Sequence, residues 1–216
     1  MRHTKPPKPS QAIAVSLVFA SIACIAVVTG FVVWAAALTP GYSHVSQFIS
    51  ELGARGAPYE LWVRRAGFLP AGLLLLTFSA LASRAVPRSR PVSLSFFGLA
   101  LFAAGYLVAA AFPCDAGCRP SEPSASQLIH NAGGLVGYLV APLFLYTLAR
   151  AARSWPGATR LAGAGYVASA VALVGLLTLS PSSEVVGLSQ RALEIAVLGW
   201  VAMLGLYIAR QSSGAA

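Results

Sequence analysis

Long apolar runs dominate this chain of 216 residues, and short segments rich in Arg, Pro and Gly separate them. Six such runs lie at about 12–38, 61–82, 92–112, 128–148, 161–179 and 190–209. Each is close to the roughly 20 residues that an α-helix needs to cross about 30 Å of hydrocarbon. Membrane strands are a poor alternative because the runs are too long and lack polar alternation. The pattern predicts an all-α membrane protein, a six-transmembrane-helix bundle that forms one domain at 12–209.

Composition narrows the class of protein further. Hydrophobic residues make up 57% of the chain and charged residues only 10%, against roughly 25% charged residues in a typical globular domain. So few charges cannot cover a globule that faces water. The composition therefore excludes a soluble enzyme, a disordered chain and a disulfide-framed secreted domain, and it predicts membrane lipid as the surrounding partner.

The first apolar run has some features of a secretory signal peptide. Arg2, Lys5 and Lys8 precede it, and Ala35 to Ala37 resemble a small-residue cleavage site. Its length exceeds the 7 to 15 residues of an h-region. We therefore expect an uncleaved anchor helix, with a cleaved signal peptide as the alternative.

Charge sets the predicted orientation. The net charge is +9, but the basic residues form short clusters between apolar runs, which is typical of topology signals and not of nucleic-acid binding. Ten of the 15 Lys and Arg residues share the side of the N-terminus, and all six acids fall on the other side. The pattern predicts a multi-pass protein of the plasma membrane with cytoplasmic tails at 1–11 and 210–216.

The longest predicted outer loop follows the first span. Within it an apolar stripe recurs at helical spacing, formed by Val45, Phe48, Ile49 and Leu52. The stripe predicts a short amphipathic helix in this first extracytoplasmic loop, capped by Ser43 and ended by Gly53. His44 and Glu51 lie on its polar side, two turns apart. Two interpretations stay open: a helix lying on the outer leaflet, and a lid that forms part of a site over the bundle.

The second outer loop carries candidate chemistry around two cysteines. Cys114 and Cys118 are spaced for a small disulfide loop on the oxidising side of a membrane. Metal binding is the alternative, although no further sulfur or histidine follows at finger spacing. Asp115 lies between the cysteines, and His130 falls at the outer rim of the fourth span. Both are candidate site residues.

The sixth span predicts a membrane-embedded acid. Between Glu194 and Arg210 only fifteen residues remain, about 22 Å of helix, which is shorter than a hydrocarbon core of about 30 Å. Glu194 therefore enters the outer hydrocarbon zone, with Arg191 one turn away, or Arg65 of the second span, as its expected partner. Embedded ionisable groups are candidate ligand-binding residues.

Several short motifs resemble one family. They are Ile49-Ser50-Glu51-Leu52-Gly53, Phe112-Pro113-x-Asp115, His130 at the start of the fourth span, and Gly187-x-x-Gln190-Arg191. They resemble the bacterial and archaeal membrane family called domain of unknown function 998, over essentially the whole chain. The resemblance implies six spans and no settled activity, and it adds Ser50 and Gln190 to the candidate residues.

A fainter resemblance is to the alkaline ceramidase superfamily, metal-dependent lipid amidases with Ser, Asp and His near one membrane face. It suggests Ser50, Asp115, His44 and His130 as such a set, and a zinc site would need the two histidines and a carboxylate. A hydrolase built on these residues would use Glu51 or Asp115 as general base. The chain departs from that pattern because it has six spans and lacks the paired histidines of the last helix.

Two functions follow from these candidates. The first is a membrane protein that binds a lipid or small amphiphile in an outward-facing polar pocket, with Arg65, Gln190, Arg191 and Glu194 as ligand-binding residues. The alternative is a metal-dependent hydrolase of lipid-like substrates at the outer leaflet, with zinc as its cofactor. A transporter is disfavoured because no charged residue falls near the bilayer midplane. The sequence leaves open whether the protein is an enzyme and does not define its oligomeric state.

Overall fold

Six long helices account for most of the protein, in a computed structural model that describes residues 9–213. They are α1 (Gln11–Leu38), α2 (Glu60–Ala85), α3 (Arg90–Ala111), α4 (Ala125–Ala152), α5 (Thr159–Leu177) and α6 (Val186–Ser213). Each is long and apolar enough to cross a membrane. Between residues 9 and 213 no strand occurs. The predicted fold class, an all-α membrane protein with six spanning helices, is confirmed.

The two predicted tails are only partly described. Residues 1–8 and 214–216 lie outside the described residues. The last helix continues to Ser213, so residues 210–213 extend α6. The division into tails and a single domain at 12–209 stays a prediction.

Serine side chains define three of the helix starts. Ser10, Ser89 and Ser124 each accept a hydrogen bond from the backbone N–H three residues further on, which pairs a donor that the first helical turn would otherwise leave free. As a result α4 begins at Ala125, three residues before the predicted span.

The second helix is irregular at its start. It consists of an α-helical turn, a π-helical segment and a regular α-helix, at Glu60–Trp62, Val63–Phe68 and Leu69–Ala85. Such π segments often occur at functional sites. Arg64 in this segment forms an ion pair with Glu60, with 2.7 Å between Nη1 and Oε1. Its Nε also donates to the carbonyl oxygen of Ala110, which ties α2 to the end of α3.

The helices form a closed ring in chain order. Each packs on its neighbours in sequence, and α1 closes the ring by packing on α6. Large apolar side chains fill the half of the ring near the chain termini, and they include Leu17, Phe78, Leu99, Leu145 and Leu204. Glycines bring α3 and α4 close together, since a β-carbon at Gly137 would lie 2.9 Å from the Cα of Phe102.

The two ends of the bundle differ in charge. Connections 39–59, 112–124 and 178–185 lie at one end, and all six acids lie in these connections or near the helix ends that they join. We call this the acidic end. The other, basic end holds connections 86–89 and 153–158. Its described arginines are Arg84, Arg88, Arg90, Arg150, Arg153, Arg160 and Arg210.

The amphipathic helix predicted for Ser43 to Gly53 is only partly formed. A turn occupies residues 44–46, and a short 3-10 helix follows at Ile49–Gly53. The Ser43 side chain accepts hydrogen bonds from Val45 N and Ser46 N. Such side-chain bonds to the backbone compete with helix formation, so the prediction of one continuous helix is wrong. Ile49 is buried against the bundle, whereas Val45 is exposed.

Candidate functional site

A cavity of about 340 Å³ lies at the acidic end, beneath the 3-10 helix Ile49–Gly53 and between α3, α4 and α6. Its apolar walls include Phe48, Phe68, Phe102, Leu135, Leu179 and Pro181. Its polar lining includes Ser50, Tyr106, His130, Asn131, Tyr138, Gln190 and Glu194. The cavity therefore combines aromatic and aliphatic surface with a small set of polar groups, as small-molecule sites usually do.

Glu194 is the acidic group of the cavity. Its side chain is buried, with 6% of the residue exposed. The Tyr106 hydroxyl donates to Oε2 at 2.5 Å, and the Tyr138 hydroxyl donates to Oε1 at 2.8 Å. Among residues 9–213 no ion pair includes Glu194. The expectation of an arginine partner, Arg191 or Arg65, is therefore wrong, and two tyrosine hydroxyls take that place.

Gln190 connects Glu194 to the loop above it. Its Oε1 accepts from Ile49 N at 2.6 Å, and its Nε2 donates to the Tyr138 hydroxyl at 2.8 Å. A continuous hydrogen-bond chain thus runs from the 3-10 helix through Gln190 and Tyr138 to Glu194. Because the amide side chain offers both a donor and an acceptor, it can bind the loop and the cavity at once.

Arg191 holds the loop and does not line the cavity. Its guanidinium donates to Gln47 O at 3.1 Å, Tyr42 Oη at 2.7 Å and His44 Nδ1 at 3.0 Å. Because a guanidinium can only donate, His44 Nδ1 must be the unprotonated, accepting nitrogen of its ring. Loss of hydration, and then the charge of Arg191, lower the pKa of His44. Burial raises the pKa of Tyr42.

Gly187 lets this loop approach α6. A β-carbon there would lie 2.5 Å from the carbonyl oxygens of His44 and Gln47. The next residue, Leu188, donates its backbone N–H to Val45 O at 3.1 Å. Carbonyl groups of the loop thus meet the first turn of α6, whose N–H groups lack partners within the helix.

The two candidate general bases lie outside the cavity lining. Glu51 accepts from Gln47 Nε2 at 2.8 Å and from Phe48 N at 2.9 Å, and Arg119 lies 3.3 Å away. These bonds shape the loop itself.

Asp115 organises the start of α4. It accepts from the backbone N–H and the hydroxyl of Ser124, at 2.9 and 2.7 Å, and it lies 3.5 Å from Arg55. The two hydrogen bonds from Ser124 lower the pKa of Asp115. Its carboxylate thus supports the residue that caps α4.

The candidate metal ligands do not converge. His44 contacts Arg191, and His130 Nδ1 lies 2.9 Å from Phe112 O, so this nitrogen carries a proton. Within the described part of the chain, no group of three or more His, Cys, Asp or Glu side chains could hold a metal ion. The residues named for zinc are thus engaged in other contacts.

The remaining candidates occupy different surroundings. Cys114 and Cys118 are joined by a disulfide in the structure, and Cys118 lines the cavity beside Ser50, whose Oγ lies 3.6 Å from its sulfur. Arg65 is exposed on α2 and does not line the cavity. Of the candidates, Ser50, Cys118, His130, Gln190 and Glu194 share the cavity.

Sequence reasoning missed the two tyrosines that bind Glu194. Tyr106 lies near the acidic end of α3, and Glu194 lies near the acidic end of α6. A buried carboxyl needs hydrogen-bond donors at its own depth. Comparing the depths of polar side chains in different spans could therefore have identified Tyr106. Tyr138 lies deeper in α4 and carried no such signal.

These features define a class: a multi-pass α-helical membrane protein with a hydrogen-bonded cavity at one end of its bundle. The chain belongs to the DUF998 family, described as protein of unknown function, and the match spans residues 11–207. The family resemblance drawn from the short motifs is thereby confirmed. Comparisons with curated proteins and with solved structures found no match.

Proposed function

We propose that this multi-pass membrane protein binds a lipid or small amphiphile in the cavity at its acidic end. The observation that supports the proposal is a cavity of about 340 Å³ with apolar walls and one buried carboxyl. Ligand cavities of proteins run from roughly 300 to 1,000 Å³. The volume lies near the lower limit, which favours a single chain or a small molecule over a whole two-chain lipid.

The apolar part of the cavity lining supports an amphiphile as ligand. Leu135 of α4 lines the cavity, and 51% of this residue is exposed. Leu179 and Pro181, in the connection before α6, line the cavity as well. These side chains offer an apolar chain a surface on which to pack.

We further propose that the acidic end faces outward from the plasma membrane, with both termini in the cytoplasm. The arginines of the basic end support this orientation. The disulfide between Cys114 and Cys118 supports it independently, because disulfides persist in oxidising compartments.

Single introduced cysteines test the orientation. In intact cells, a membrane-impermeant maleimide should label a cysteine at Glu122 and leave cysteines at Arg88 and Arg153 unlabelled. Mass spectrometry of the non-reduced peptide should show Cys114 linked to Cys118. The reverse labelling pattern, or two free thiols, contradicts the orientation.

Two matched glycine substitutions test binding. A β-carbon at Gly134 or at Gly199 meets no atom within 4 Å, but only Gly134 lines the cavity. Gly134→Leu should fill the cavity, and Gly199→Leu should leave it open. In nanodiscs of phosphatidylcholine, 1-dodecanol should raise the melting temperature of the wild type and of Gly199→Leu, but not that of Gly134→Leu. Equal shifts in all three proteins contradict binding in the cavity.

A further inference from the structure

The charge of the cavity lining restricts the head group that can enter. Neither Arg nor Lys is among the residues that line it, and Glu194 is its acid. We propose, building on the proposed binding function, that the cavity selects single-chain amphiphiles with a primary amine head group and disfavours carboxylate and phosphate head groups.

The first argument is the spare accepting capacity of Glu194. A carboxylate offers about four acceptor positions, and the hydroxyls of Tyr106 and Tyr138 occupy one on each oxygen. Both hydroxyl protons are used in these bonds. What the deepest polar part of the cavity offers a ligand is therefore acceptor capacity, and a primary ammonium brings three donors on one compact group.

The second argument is that the nearby arginines are already committed. Arg191 bonds the loop, and Arg64 bonds Glu60 and the end of α3. Arg119 donates to Ser46 O at 2.7 Å, pairs with Glu51, and lies over the Phe48 ring. An anionic head group would thus lose its hydration without gaining a cation, which is unfavourable in an apolar cavity.

His130 extends the same pattern at the rim. Because Nδ1 donates to Phe112 O, the neutral ring leaves Nε2 as an acceptor. His130 thus adds one acceptor at the rim of the cavity.

A head-group series on one chain length tests the selectivity. The probes are dodecylamine, 1-dodecanol and dodecanoic acid, with butylamine as an amine that lacks the long chain. Each is titrated into wild-type protein in phosphatidylcholine nanodiscs near neutral pH, and binding is read from the shift in melting temperature. Gly134→Leu reports non-specific partition into the nanodisc.

Dodecylamine should bind the wild type about tenfold more tightly than 1-dodecanol, since a charge-assisted hydrogen bond is roughly twice as strong as a neutral one. Dodecanoic acid and butylamine should bind more weakly than 1-dodecanol. Glu194→Gln should retain the binding of 1-dodecanol and lose the preference for the amine.

Two outcomes overturn the selectivity. One is dodecanoic acid binding as tightly as the amine in the wild type, a comparison that does not depend on any variant folding. The other is 1-dodecanol matching the amine there. If instead no probe separates the wild type from Gly134→Leu, the proposed binding function itself fails.

Discussion

The two ends of the bundle are held together by different interactions. At the basic end, apolar side chains fill the ring, and the arginines lie exposed at the surface. Trp155, in the connection between α4 and α5, stacks on Tyr207 of α6 with 6.0 Å between ring centres. At the acidic end, Tyr106, Tyr138 and Gln190 bind buried polar groups across separate elements.

The two ends of the bundle therefore place different demands on the sequence. Apolar packing at the basic end needs only shape and hydrophobic residues. Buried polar groups at the acidic end need specific partners, because an unpaired one costs free energy. Hydrogen bonds between these groups allow polar side chains to be buried inside the bundle, next to the cavity.

The largest expected effect lies at the basic end. Trp155→Ala removes a side chain that is only 5% exposed, and loss of a buried Trp typically costs about 3–5 kcal/mol. Trp62→Ala is the matched control, because Trp62 is 64% exposed on the outside of the bundle. Unfolding in detergent should show a large loss of stability for Trp155→Ala and a small one for Trp62→Ala. Similar losses would mean that packing does not dominate this end.

The next effect concerns the polar network. Glu194→Leu removes the acceptor of two tyrosine hydroxyls. Since each buried donor left unpaired costs about 1–3 kcal/mol, we expect a loss of about 2–4 kcal/mol in the free energy of unfolding. Glu122→Leu, on an exposed residue of the 112–124 connection, should change it by less than about 0.5 kcal/mol. If the two substitutions have equal effects, Glu194 does not anchor the network.

Local patterns were enough to predict the six spanning helices and the difference in charge between the two ends of the bundle. Apolar runs of spanning length and clusters of arginine are properties of contiguous segments. Glu194 could be predicted as an embedded acid for the same reason, since helix length determines its depth.

The partners within the site could not be predicted in this way. Ile49 and Gln190 are 141 residues apart in sequence, and Tyr106 and Glu194 are 88 apart. Arg191 was assigned to Glu194 because it lies one turn away, yet α6 starts at Val186 and the loop carbonyls lie against its first turn. Only the folded ring shows that Gln47 O, Tyr42 Oη and His44 Nδ1 are the partners of Arg191.

A smaller effect tests the contact between the loop and α6. Gly187→Ala places a β-carbon against the carbonyl oxygens of His44 and Gln47, and overpacking typically costs about 1–3 kcal/mol. Gly199→Ala meets no atom within 4 Å and should stabilise α6 by up to about 1 kcal/mol, since Ala favours helix over Gly. The two substitutions should thus shift the melting temperature in opposite directions. Shifts of the same sign would contradict close packing of the loop on α6.

The smallest effect is the pH dependence of the same contact. Loss of hydration and the charge of Arg191 lower the pKa of His44 from 6.5, so the folded protein binds the proton less readily than the unfolded chain. The contribution of neutral His44 to the free energy of unfolding is therefore complete above pH 6.5. It is lost as the pH falls through the lowered pKa of His44 in the folded protein. Asp115 acts in a separate window, because its pKa lies below 3.8. Melting temperatures between about pH 8 and pH 5 should fall less steeply for His44→Gln than for the wild type. Parallel curves would show that protonation of His44 does not oppose the bond to Arg191.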